Sequence, residues 1–271
     1  MGTTIKVQEA MDSFVMNLQD DASVKLEDAE ICLEMFADYL LHYSDLFQDD
    51  TDVDDVSFEE WEAALEIYME KLFEGDMERS TELGALPLSL VDAEHMRDFL
   101  GWYLLREPNM DSLALENFAS ILRAWVEFLF EKKHLDSDRH LAFVDVLDDV
   151  ISESSRAAKA AHLLLYFVRL GAGVSPRLRG KRFENFVEGH ARVDFIDMEK
   201  KSVSLGFDNQ DKIIAPIHLP TEILNYLCSG DVLDVELGQR GGQWIIVDIG
   251  PVYPACVYVE ADEFKVPNKL T

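Results

Sequence analysis

The stretch GHARVDFIDMEKKSVSLGF, residues 189–207, decides the fold. Ala191, Val193 and Phe195 alternate with His190, Arg192 and Asp194, and Val203, Leu205 and Phe207 then alternate with Ser202, Ser204 and Gly206. A period of two belongs to a strand with one buried face. The alternation therefore predicts two strands, with Phe195 on the same face as Ala191 and Val193. Further along, KIIAPIHLP reads as a third strand in which Pro216 marks an edge or a bulge. TEILNYLCSG reads as a short helix, with Thr221 as its N-cap and Gly230 just past its end. DVLDVELGQ and QWIIVDIG then form a hairpin across the RGG turn at 240–242. The tail PVYPACVYVEADEFKVPNKLT predicts an extra strand followed by a loose end.

Toward the N-terminus the period changes to about 3.6. In LEDAEICLEMFADYLLHYSDLF the apolar positions Ala29, Cys32, Leu33, Phe36, Tyr39, Leu40, Tyr43 and Phe47 share one helical face. In ALENFASILRAWVEFLF the stripe is Phe118, Ile121, Leu122, Trp125, Phe128 and Leu129. Further helices are expected near 6–18, 57–74, 91–106, 137–152 and 155–170, with breaks at QDDTDVDD, LGALPLSL and REPNMDS.

Three strands, a short helix and two more strands, over roughly residues 185–254, resemble the element order of an OB-fold, a small five-stranded barrel. The helical half has a likeness of its own. DAEICLEMFADYLLHYSDLF, followed by HMRDFLGWYLLREPNMDSLALENFASILRAWVEFLFEKKHLD, resembles the helical, SAM-like core-binding domain that precedes the catalytic domain of tyrosine recombinases. That likeness implies a helical fold and DNA contact. No recombinase catalytic domain with its Arg, His and Tyr set follows.

The expected fold class is thus α+β in two domains: an acidic helical bundle over residues 1–170, a basic linker over 171–184, and a small OB-like β-barrel with a C-terminal extension over 185–271. Charge supports the division. The chain has 271 residues and a formal net charge of -29, of which -27 falls in residues 1–150. A surface so acidic repels phosphates and favours a basic protein partner. Residues 155–182 are the exception, with seven Lys or Arg and no Asp or Glu.

Within that exception Arg177, Arg179, Lys181 and Arg182 are the densest cluster, and Arg192 follows at an outward position of the first strand. Two readings stand. In one the cluster is the counterion of the acidic bundle and clamps two domains together. In the other these five residues contact the phosphates of a single-stranded nucleic acid.

Metal chemistry has one candidate. DDTDVDDVSFEEW, residues 49–61, resembles an EF-hand calcium loop, with Asp50, Asp52 and Asp54 at alternating positions. Counted from Asp50, the sixth residue is Asp55 where the loop needs Gly, and Glu60 arrives one place before the twelfth. A solvated acidic loop is the plain reading, and association of a divalent ion with Asp50, Asp52, Asp54 and Glu60 the alternative. In HLDSDRH, His134 and His140 are six apart, off the three-and-four spacing of helical ligands, and Asp136 or Ser137 serves as a helix cap.

No nucleophile elbow, phosphate-cradling loop or dinucleotide fingerprint occurs, so no catalytic residue or cofactor is expected. Cys32, Cys228 and Cys256 fit neither a disulfide framework nor a zinc site. With no signal peptide and no long apolar run, the expectation is a cytoplasmic protein off the membrane; the sequence sets no oligomeric state. The function expected is that of a non-enzymatic interaction or adaptor protein whose acidic half meets a protein partner, with nucleic-acid binding by the barrel as the alternative.

Overall fold

The computed structural model describes residues 5–18, 25–44, 46, 83–107, 110–171, 173, 174, 177, 179–207, 213–257 and 259. The expected helix at 57–74 and the acidic loop with Asp50, Asp52, Asp54 and Glu60 lie outside them. The protein is α+β, with a helical N-terminal half and a five-stranded antiparallel sheet in the C-terminal part. It forms two compact units, Met1–His95 with Ile121–Val144, and Met96–Ser120 with Asp145–Thr271.

In the first unit, α1 (Val7–Leu18) buries Val7, Ala10, Met11, Phe14 and Leu18, a single helical face. α2 (Leu26–His42) buries Ala29, Cys32, Leu33, Phe36, Tyr39 and Leu40, the stripe that the three-and-four spacing predicts. It stops at His42, so Tyr43 lies half exposed beyond the face that the longer expected helix gave it. Trp125 packs edge-on against Phe36 at 5.9 Å, and Phe14 meets Phe128 at 5.5 Å. Asp136 caps the following helix by accepting from the Arg139 amide at 2.9 Å. His140 lies 3.1 Å from Glu127 and stacks on Phe130.

The helix α3 begins as Ala93–Asp98, widens into a π turn over Phe99–Tyr103 and closes with Leu104–Arg106. Within the second unit, the Cβ that Gly101 lacks would collide with Val257, so only glycine lets the π turn approach that side chain. α4 (Ser112–Glu131) follows, then α5 (Ser137–Arg169). The expected break near 153 is absent, and α5 is one helix of 33 residues. The serines there do not stop it: Ser154 is fully buried, and the Ser155 hydroxyl donates to the Ser112 carbonyl. With neither Gly nor Pro present, nothing opposes helix propagation.

The sheet comprises β1 (Asn185–Asp197), β2 (Ser202–Gly206), β3 (Ile213–His218), β4 (Val232–Arg240) and β5 (Gln243–Tyr253), with α6 (Thr221–Leu224) between β3 and β4. Its order is β3-β2-β1-β4-β5. The ladder does not close into the expected barrel, although β3 and β5 approach within 8 Å between Cα atoms. Pro216 lies in β3, at one end of that order, where it deprives no inner strand of a donor. Pro220 rather than Thr221 holds the N-cap position of α6. Pro251–Tyr253 continue β5 instead of starting a separate strand.

Residue 170, the expected bundle boundary, is not where the units divide. Ala157, Ala160 and Leu164 of α5 are fully buried in one core with Val187, Ala191, Leu205, Leu233 and Leu237 of the sheet. The apolar face of α5 that a bundle would use is the cover of the sheet.

A second departure concerns Phe195. The β1–β2 register slips between Val193, opposite Leu205, and Phe195, opposite Ser204, which leaves Asp194 as an extra residue. Such a bulge reverses the side-chain alternation beyond it. Phe195 is therefore 58% exposed, and Ile196 takes the inward place against the core. The turn before β4 holds the bulge: the Val193 amide donates to the Asp231 carbonyl at 2.7 Å, Gly230 donates to Val193, and the Ser229 hydroxyl donates to the Asp194 carbonyl.

That turn is in its turn fixed by α5. The Asp231 carboxylate, fully buried, accepts two hydrogen bonds from the Arg156 guanidinium at 2.7 and 2.8 Å and one from the Cys228 amide at 2.7 Å. Arg156 also donates to Glu153 and to the Tyr226 carbonyl.

Candidate nucleic-acid interface

The basic stretch divides by what its cations touch. Arg156 is structural, its charge held inside the second unit by Asp231. Arg177, Arg179, Lys181 and Arg182 are exposed, and no ion pair joins any of them to a carboxylate among the described residues. Gly171 takes a left-handed φ of 60°, the usual backbone of a helix end. Gly173 then lies against the Phe167 ring, where an added Cβ would stand 3.0 Å from it. At Gly173, four residues before Arg177, the chain therefore lies beside the last turns of α5.

At its other end the collar runs into aromatic residues. The Phe183 ring lies 4.7 Å from that of Phe186 and covers Gly238, whose missing Cβ would stand 2.5 Å from the ring. The Arg240 guanidinium stacks on Phe183 at 3.7 Å. Phe186 stays 37% exposed. Four exposed cations that precede an accessible ring in the chain are the pair of features that single-stranded nucleic acids use, phosphates on the first and bases on the second.

Arg192 is not part of this surface. Its guanidinium donates to the Gly230 carbonyl and, at 3.0 Å, to the Val259 carbonyl, so it ties Val259 to the turn before β4. Phe195, which sequence alternation assigned to the interior, is instead a second outward ring on β1. Its cross-strand neighbour is the small Ser204, and Gly206 further along β2 has open space above it.

One part of the sheet repels phosphate. Glu188, Glu236 and Asp248 stand directly opposite one another on β1, β4 and β5. Burial, followed by repulsion from Glu188 and Asp248, raises the Glu236 carboxyl above its ordinary range.

Among the described residues no group of His, Cys, Asp or Glu is arranged to hold a metal ion, and no helix is long and apolar enough to cross a membrane. Comparison with models of known families, with curated proteins and with solved structures finds no match to this chain.

Proposed function

We propose that the chain binds single-stranded nucleic acid through its second unit, with Arg177, Arg179, Lys181 and Arg182 on the phosphates and Phe186 as a stacking ring. The carrying observation is that these four cations are exposed and without a carboxylate partner among the described residues, in a chain with a net charge of -29. The strand order, with a short helix between β3 and β4, supports reading the sheet as an open barrel of OB type. In such modules the β2–β3 face takes oligonucleotides, and the outward Phe195 on neighbouring β1 suits that use.

The acidic first 150 residues then restrict binding to the cationic surface by repelling phosphates elsewhere. Their charge of -27 also favours a second reading, an adaptor whose acidic half meets a basic protein. A cytoplasmic setting belongs to both readings, and three free cysteines suit it. Titration of a fluorescent oligothymidylate with the full chain across a salt series separates the two. Four phosphate contacts give a slope of log affinity on log salt of about -2.8, and replacing all four cations with Gln abolishes binding. Absence of binding at low salt leaves the adaptor reading in place and removes the nucleic-acid one.

A further inference from the structure

Beyond Glu153, α5 carries no acid, and the next carboxylate in the chain is Glu184. In this part of the helix Lys159, His162, Tyr166 and Arg169 follow one another at intervals of three, four and three residues, which puts them on one face. All four are exposed, Tyr166 at 62%, and none has a hydrogen-bond or ion-pair partner among the described residues. The opposite face, with Ala157, Ala160 and Leu164, is committed to the core of the sheet. Tyr166 thus stands between cations with more than half of its surface open.

We infer that this face of α5 continues the collar as one track, and that its occupant is a single strand long enough to place phosphates on Lys159 and Arg169 and a base on Tyr166. The inference rests on the collar being a phosphate site. Geometry and charge set the direction of the track. Gly173 against Phe167 keeps the chain beside the end of α5 four residues before Arg177. In the other direction the sheet presents Glu188, Glu236 and Asp248 in one row, which a phosphate chain avoids. Lys159 and Arg169 are about 15 Å apart along the helix axis, so the added length is that of several nucleotides. An exposed ring between cations is matched to unstacked bases, because a duplex keeps its bases away from side-chain rings.

The test uses the full chain with oligothymidylates of about 4 and about 16 nucleotides, the range of site sizes for one such module. Tyr166→Ala should weaken the long probe about tenfold, the scale of one lost base stack, and Tyr166→Phe should restore it. Lys159→Gln with Arg169→Gln should reduce the salt slope of the long probe by about 1.4, two contacts' worth. Binding of the short probe should depend on the collar and ignore all of these changes.

If the collar variants abolish binding while the α5 variants leave both probes unchanged, the track ends at the collar and the inference is wrong, though the collar reading stands. If neither probe binds the unaltered chain at low salt, the collar reading has failed and takes the inference with it. If a polyglutamate of equal charge displaces the long probe as well as unlabelled oligonucleotide does, and Tyr166→Ala has no effect, the face serves an acidic protein and the inference is overturned.

Discussion

Replacing Arg156 with Met should cost about 3–5 kcal/mol of stability, because it removes the cation and leaves the Asp231 carboxylate buried with its charge uncompensated. The structure sets that scale. The Asp231 side chain is 0% exposed, Arg156 is 15% exposed, and their two hydrogen bonds are short. After the substitution the Cys228 amide is the one hydrogen bond named above that still reaches Asp231. Burial opposes the Arg156 charge, yet the hydrogen bonds and field of Asp231, with a hydrogen bond to Glu153, raise its pKa overall, so the cation persists at any working pH. Urea unfolding measures the loss as a lower midpoint at constant slope. The double variant Arg156→Met with Asp231→Asn should recover more than half of it, since the buried charge is gone while the Cys228 hydrogen bond can remain. Amide exchange at Val193 and Gly230 should quicken in the single variant, because Asp231 anchors the turn that pins them. A single-variant loss below about 1 kcal/mol, or a double variant no better than the single, would refute the argument that an uncompensated buried charge sets the cost.

Glu236→Gln should raise stability at neutral pH by about 0.2–1 kcal/mol by relieving like charges opposite one another; because the folded carboxyl is raised, its penalty is absent at low pH and grows as pH rises past the unfolded value, so melting curves of the two proteins should converge in acid. Gly238→Ala should lose about 1–3 kcal/mol by forcing the Phe183 ring off β4, with weaker oligonucleotide binding as the ring and Arg240 move; unchanged melting and binding would mean the ring has room to shift. Leu164→Ala should lose about 2–5 kcal/mol in urea unfolding, whereas a loss under 1 kcal/mol would deny α5 its place in the core of the sheet.

The strands were legible because each has one buried face, and alternation survives wherever a single contact surface dominates. Val187, Ala191, Val193, Leu205 and Leu237 are inward as their period requires. Phe195 was not legible, since hydrogen bonds between residues 193–194 and residues 229–231 hold the bulge and no local pattern encodes a partner that far along the chain. The boundary at 170 misled for a related reason: an apolar helical face does not say whether a helix or a sheet will cover it. The exposed collar announced itself through charge alone. Charge did not tell how Arg192, grouped with the collar in sequence, or Arg156 on its helix would be used: Asp231 engages Arg156, and backbone carbonyls engage Arg192. The stacking of Arg240 on Phe183 joins residues separated by most of the sheet, and only the β1–β4 pairing brings them together.

The bulge at Asp194 also bears on how the chain can change in length. Residues 194–197 could be threaded through the same ladder in two ways, and an unbroken strand of this sequence would hide Phe195 and show Ile196 to water. A chain one residue shorter, without Asp194, would alternate regularly and still turn Phe195 outward and Ile196 inward. Strand length and the outward ring are therefore separable here. A relative with a one-residue gap opposite Asp194 would keep the same aromatic surface, whereas a gap two residues away, at Arg192, would also cut the tether to Val259.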